Sequence, residues 1–205
     1  MTVRFCFGLS STILLATSTC LAGVINFDDI NTGAFGSDSL AHISDGYQGL
    51  NWSNFGAIFA LSHAPISGYA AGLISSPNEA FNEIGAPASF SSVTPFTFAS
   101  GYFTGAWNEE LNITIQGYNG ATLLDSTTIV VSSTAPTLET FNWTGLTEVT
   151  LSSFGGTPNP AYATYGSGTE FALDNLTLSP EPATPLLLGL ALGGLTLLRR
   201  NWFRR

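Results

Sequence analysis

The stretch Leu111-Asn112-Ile113-Thr114-Ile115-Gln116 alternates apolar and polar side chains without a break, and soon afterwards the chain reaches Asn119-Gly120. Side chains on a strand point to opposite faces in turn, so this pattern makes one apolar and one polar face. Asn-Gly supplies the positive φ angles of a tight turn whose twist matches paired strands. A hairpin is therefore expected, with its second arm beginning at Ala121-Thr122-Leu123-Leu124. A chain that commits to this local geometry has to bury the apolar face against more strands.

The rest of the middle of the chain supplies them. Val24 to Phe27, Ala57 to Leu61, Phe96 to Phe103, Thr127 to Val131, Leu138 to Trp143, Val149 to Phe154 and Phe171 to Leu178 are short β-rich runs divided by Gly, Pro, Asn and Ser. No apolar period of 3.6 persists, and only Glu79 to Ile84 has a helical look. The pattern predicts an all-β fold, an antiparallel two-sheet β-sandwich of the jelly-roll kind, over residues 23–178.

Charge narrows the function. There are fourteen Asp+Glu against five Lys+Arg, and no lysine. The arginines are Arg4, Arg199, Arg200, Arg204 and Arg205, so everything between Phe5 and Leu198 is neutral or acidic. Such a body cannot neutralise phosphates, and nucleic acid is excluded as a partner. The cysteines, Cys6 and Cys20, both lie near the N-terminus, so burial rather than disulfides must hold the body together. Fifteen Phe provide for it, each buried ring contributing about 1.5–3 kcal/mol before entropy is subtracted.

Both ends read as targeting segments. Arg4, the apolar stretch Phe5 to Ala16 and the small residues Cys20 and Ala22 before Gly23 form the pattern of a signal peptide over residues 1–22. At the other end, Ser179-Pro180-Glu181-Pro182 breaks the chain, Pro185 to Leu198 is an uncharged Leu/Gly-rich run, and Arg199 to Arg205 closes with four arginines. The run is a transmembrane helix candidate. Its ~21 Å at ~1.5 Å per residue is short of a ~30 Å hydrocarbon core. Snorkelling of Arg199 and Arg200 extends it. Positive-inside bias keeps the arginines cytoplasmic and puts the body outside.

This three-part end resembles the PEP-CTERM sorting signal of Gram-negative bacteria, with Pro180-Glu181-Pro182 as the triplet, a Leu/Gly-rich helix, and Arg199, Arg200, Arg204 and Arg205 in the tail. The resemblance covers residues 179–205 and implies an exosortase-type processing enzyme and the lipid bilayer as partners. It further implies an exported protein. The body would be membrane-anchored outside the cytoplasm, or surface-bound or extracellular once the tail is processed. The body also resembles domains that often precede that signal, through Phe27-Asp28-Asp29, Gly46-Tyr47-Gln48-Gly49-Leu50-Asn51-Trp52 and Phe171-Ala172-Leu173-Asp174-Asn175-Leu176. Those domains look like carbohydrate-binding jelly rolls.

Catalytic chemistry is hard to find. His42 and His63 stand alone, no Gly-x-Ser-x-Gly elbow exists, and Glu109-Glu110 on a strand would point to opposite faces. Two binding readings remain. Asp28 and Asp29 after the first strand and Asp174 in the last could share Ca²⁺ with backbone carbonyls, if those strands are neighbours. Trp52 and Trp107, flanked by Asn and Ser, could be platforms for a sugar ring of an extracellular polysaccharide. The alternative for each tryptophan is the core, with Trp143 the most core-like and Trp107 the most exposed. The expected role is a non-enzymatic structural or carbohydrate-contacting module. The rival is a secreted hydrolase acting on exopolysaccharide, which needs two carboxylates facing across a sugar.

Overall fold

The computed structural model describes residues 23–33 and 39–181. The expected signal peptide, the helix over 185–198, Pro182 and the four tail arginines lie outside the described residues. Among the described residues no helix is long and apolar enough to cross a membrane.

The strands are β1 (Gly23–Ile25), β2 (Leu40–His42), β3 (Asn51–Ser53), β4 (Phe55–Ile58), β5 (Glu79–Asn82), β6 (Ala88–Gly105), β7 (Asn108–Glu109), β8 (Leu111–Asn119), β9 (Thr122–Val131), β10 (Thr137–Phe154), β11 (Thr157–Pro158) and β12 (Phe171–Pro180). Two short helices, α1 (Ala60–His63) and α2 (Gly68–Gly72), lie between β4 and β5. The fold is antiparallel and sandwich-like. Ten strands hydrogen-bond into one network in the order β2-β4-β5-β12-β6-β10-β8-β9, with β1 added to β12 and β3 to β6. β7 and β11 form a separate ribbon.

The two longest strands carry the network from one part of the sandwich to the other. β6 and β10 are 18 residues each. Between their paired segments the register jumps from Leu146↔Phe96 to Glu148↔Ser91, so Ser92–Pro95 bulges out of the ladder. Pro95 sits there because it has no N–H to donate. Val93 at the bulge is 94% exposed. The runs expected as separate strands at Leu138–Trp143 and Val149–Phe154 are thus one bent strand, β10.

The hairpin forms as alternation demands. Leu111, Ile113 and Ile115 are buried, and their neighbours are partly exposed. Its turn is shifted by one residue from the expected position. Asn119 pairs with Thr122, leaving Gly120 and Ala121 as the loop, with Gly120 at φ 57°. Glycine at the first central position is the other favoured way to match strand twist.

Two expectations are corrected. Glu79–Ile84 is not helical: Glu79–Asn82 is β5, paired on both sides with β4 and β12, and Glu83–Gly85 is a single 3-10 turn. Helical spacing was misleading because Glu79 and Asn82 are buried polar residues on an interior strand. Ala57–Leu61 is not one strand either, since β4 stops at Ile58 and α1 begins at Ala60.

The core is aromatic. Phe27, Phe55, Phe90, Phe96, Phe98, Phe103 and Phe171 are fully buried. Their rings pack mostly edge to face or tilted, as the ring quadrupole favours; Phe55–Phe171 at 6.2 Å and 84° is one pair. Trp52 belongs to this core and is 5% exposed. Phe27, Tyr47, Phe55 and Phe90 surround it. Its indole N–H donates to the Tyr47 carbonyl at 3.0 Å. The expectation of a sugar platform at Trp52 is therefore corrected: alternation along β3 turns Asn51 and Ser53 out and the ring in.

Candidate functional site

A concavity of about 390 Å³ opens beside Trp107. Its lining comes from α1, α2 and the turn between them, from Leu40 of β2, Ile58 of β4 and Phe81 of β5, from Trp107 just after β6, and from the loop that carries Tyr165 to Glu170. Ser67 caps α2 by accepting from the Ala70 N–H, and its own hydroxyl donates to the Ala64 carbonyl at 2.6 Å. Gly68 then comes so close to β6 that an added Cβ would lie 1.8 Å from the Gly105 carbonyl oxygen. The Gly68 N–H donates to the Ala106 carbonyl at 2.8 Å. Only glycine permits this approach, which fixes Tyr69 against the sheet.

The opposite wall is fixed through main-chain bonds. Asn159 N–H donates to the Trp107 carbonyl, and Ala106 N–H donates to the Glu170 carbonyl, both at 2.9 Å. The loop is pinned at its base by Glu109, whose carboxylate accepts from the Ser133 N–H at 3.1 Å, the Ser133 hydroxyl at 2.7 Å and the Asn159 amide at 3.3 Å. Burial alone would raise the Glu109 carboxyl; hydrogen bonds from Ser133, with those from Ser132 and Thr134, together outweigh it and hold the group below its ordinary value. Glu109 is thus a structural anchor.

Aromatic rings make the walls. Tyr69 and Trp107 stand at 89° with centroids 5.7 Å apart. Gly166 lies flat against the indole, where a Cβ would come within 2.5 Å of the ring. Tyr165 stands at the rim, 59% exposed. Trp107 is half-buried, and of the two candidate platforms it is the one that faces an open pocket. Ile58, Phe81, Ile66 and Pro65 supply apolar lining, and Glu170, His63 and Ser167 supply polar groups. Burial pushes the Glu170 carboxyl up, against a lowering bond from its own backbone N–H. Burial, and then the negative charges of Glu170 and Glu79, push the Tyr69 hydroxyl well above its ordinary value.

Sequence reasoning missed Tyr69, Tyr165 and Glu170. Their only local signal is the glycine beside each ring: Gly68 before Tyr69, and Gly166 after Tyr165. Nothing in the sequence says that these segments meet at Trp107.

The three aspartates are placed differently. β1 does pair with β12, so the first and last strands are neighbours as expected. Asp174 accepts from the Ile74 and Ser75 N–H groups, both at 2.8 Å, from the Ser75 hydroxyl at 3.1 Å and from its successor's N–H at 2.7 Å. Asp28 accepts from the Asn78 N–H at 3.0 Å and the Asn26 amide at 2.8 Å. Asp29 accepts from the Tyr47 hydroxyl at 2.6 Å. The loop Ile74–Asn78 thus lies between Asp28 and Asp174 and takes up their oxygens. Among the described residues no group of three or more His, Cys, Asp and Glu could hold a metal ion, so the three are not brought together as a calcium cluster. Burial leaves the Asp174 carboxyl above its ordinary value even against these bonds.

The triplet's first two residues are part of the folded body. β12 continues to Pro180, which pairs with Phe96. Glu181 Oε1 accepts from the Thr97 hydroxyl and the Gly145 N–H, both at 2.8 Å.

No family model matches the chain, and no curated protein matches it. Several solved structures are similar at low identity. TmCBM61 in complex with beta-1,4-galactotriose is 11% identical with a TM-score of 0.34, over 73% of this chain and 99% of that one. A Family 16 Carbohydrate Binding Module is 14% identical with a TM-score of 0.33, over 62% and 89%. A CBM4 structure is 16% identical with a TM-score of 0.34, over 74% and 100%. Likenesses of this degree carry no argument about what the present chain binds.

Proposed function

We propose that the body is a carbohydrate-contacting module of an exported protein, and that a sugar ring sits in the Trp107 pocket. The observation that carries the reading is the right-angled pair Tyr69–Trp107 in an open concavity of mixed apolar and polar lining with Tyr165 at its mouth. A pyranose offers an apolar face to an aromatic ring and hydroxyl edges to polar groups, and the pocket provides both kinds of partner. In this reading the fold is a jelly roll and its role is structural or adhesive. The rival, a hydrolase, asks for two facing carboxylates; among the described residues lining the pocket Glu170 is the one acid.

The terminal segments complete the proposal: a leader over 1–22, and a PEP-CTERM-type signal over 179–205 handled by an exosortase-type enzyme at the lipid bilayer. Intact-mass measurement of native material tests this half: loss of the leader and of the tail after the Pro-Glu-Pro triplet is the expected result, and a full-length mass overturns it. A glycan array tests the other half. Binding is expected for the wild-type chain and lost in Trp107→Ala and Tyr165→Ala. Tyr165 is exposed enough that its variant leaves the fold intact. Binding unchanged in both variants overturns the assignment.

A further inference from the structure

We infer that the body rests on the lipid bilayer with one pole, the end where β6 and β10 bend, and holds the Trp107 pocket at the opposite pole, away from the membrane. The inference rests on the anchoring half of the reading above and adds the surface that meets the lipid.

Strand direction defines the two poles. β12 starts at Phe171, paired with Gly105 near the pocket, and ends at Pro180, paired with Phe96. Its ten residues span ~30 Å at ~3.3 Å each. β10 runs alongside, from Thr137 opposite Phe103 to Leu146 opposite Phe96. It then bends and returns beside β8, from Glu148 opposite Tyr118 to Phe154 opposite Asn112. The bends of β6 and β10 therefore cap the end of the body that lies away from the pocket. The β8–β9 turn joins them there, where the Asn119 amide donates to the Gly145 carbonyl at 2.8 Å.

Both ends of the body lie at this pole. Gly23, the first residue of β1, pairs with Leu178, two residues before Pro180. Glu181 is held by the Gly145 N–H at 2.8 Å. The expected leader and the expected membrane run thus join the body on neighbouring strands. Residues 182–184 alone separate Glu181 from the apolar run that starts at Pro185. Four steps reach at most ~14 Å at ~3.6 Å each, about half the length of β12. The bends are within reach of the headgroups, and the pocket is a strand's length further out.

The surface chemistry of the two poles differs in the same sense. Residues 92–95, 119–122 and 144–147 include no charged side chain, in a chain with fourteen acids. Val93 protrudes from the β6 bend, 94% exposed, and Val24 of β1 is 59% exposed. Glu181 turns its carboxylate to Thr97 and Gly145. At the far pole stand Glu83, Glu109, Glu110 and Glu170, around the start of β12 and of β8. A carboxylate is disfavoured beside a low-dielectric hydrocarbon core and beside anionic headgroups. Chain reach brings one pole to the membrane, and charge keeps the other away.

The test reconstitutes the full chain, carrying Cys6→Ser and Cys20→Ser, in phosphatidylcholine vesicles. One thiol for a fluorophore is placed at Val93→Cys or at Ile84→Cys. Ile84 is 88% exposed in the turn beside Thr169, at the far pole. Lipids spin-labelled at the headgroup quench at short range. With the sites ~30 Å apart, quenching is expected to be roughly three-fold stronger at Val93. Val93→Asp, read by a label at Val24→Cys, is expected to lose most of the quenching at this pole. Melting temperature in detergent confirms that each variant is folded.

Equal quenching at Val93 and Ile84, or stronger quenching at Ile84, overturns the placement and leaves the anchored reading standing. Quenching at Val24 that is unchanged by Val93→Asp overturns the contact of this surface with lipid, since the tether alone then holds it there. A chain that fails to float with the vesicles overturns the anchored reading and this inference together.

Discussion

The Glu181 carboxylate accepts the backbone N–H of Gly145 at 2.8 Å, joining the residue that follows β12 to the bend of β10. Gly145 has φ 72°, so the bend that presents its N–H is one that favours glycine. The same oxygen takes the Thr97 hydroxyl from β6. Three strands thus meet on one side chain.

Glu181→Ala should free this corner. The lost bonds are to a charged acceptor at a partly exposed site, so a cost of about 1 kcal/mol is expected. That lowers the melting temperature by roughly 2–4 °C. Glu181→Gln, whose amide oxygen can still accept, should lose less. Limited proteolysis should cut near Ser179–Pro182 earlier in the Ala variant. Identical melting of all three proteins would show that the contact contributes nothing.

Glu79 predicts a pH dependence. Its side chain is fully buried, with neither carboxyl oxygen hydrogen-bonded. Burial first, and the Asp174 charge second, push its carboxyl well above the ordinary value. The folded state therefore holds a proton that the unfolded chain releases near about pH 4.3. Stability from this group is full below that pH and is lost as pH rises toward the folded-state value. The slope is at most about 1.4 kcal/mol per pH unit. Denaturant melts at several pH values should show stability falling between mildly acidic and neutral pH. Glu79→Gln should flatten that fall, and Asp174 and Glu170, both also raised, should leave a remnant. An unchanged slope in the variant would refute the buried-proton account.

Much of the fold was legible because alternation is a local signal. Leu111 to Ile115 needs no information beyond its own sequence. The bent strands were less so. Whether Leu138–Phe154 is one strand or two depends on how it registers against β6 at Phe96 and Ser91, which are distant in sequence. Glu79 was misleading because acid is rarely buried, and it sits in an interior strand. The site was half legible. Trp52 and Trp107 each stand next to an Asn, yet one is core and the other lines a pocket. What separates them is Gly166 and Tyr69, brought to Trp107 by tertiary structure.

That contrast gives a paired prediction. Trp52→Ala removes a ring enclosed by four aromatic neighbours and should cost about 3–5 kcal/mol. Its effect should be on stability alone, with Trp52→Phe recovering part of the loss. Tyr165→Ala should show the reverse, a small change in melting with loss of sugar binding. Chemical denaturation and glycan titration of the three variants, read together, check it. Trp52→Phe folded yet unable to bind would return that residue to the site.

Gly166→Ala isolates the pocket's shape from its chemistry. The added methyl would meet Trp107 at 2.5 Å, closer than carbon atoms pack, so either the loop or the indole must move. No polar or aromatic lining group is removed. Overpacking of this kind costs about 1–3 kcal/mol. The matched control is Gly120→Ala in the β8–β9 turn, where φ is 57° and the methyl meets nothing within 4 Å. That variant should lose about 1 kcal/mol through backbone strain alone. Both proteins should therefore melt earlier, and only Gly166→Ala should show altered tryptophan fluorescence and weaker sugar binding. Equal binding by the two would mean that the register of the loop on Trp107 does not shape the site.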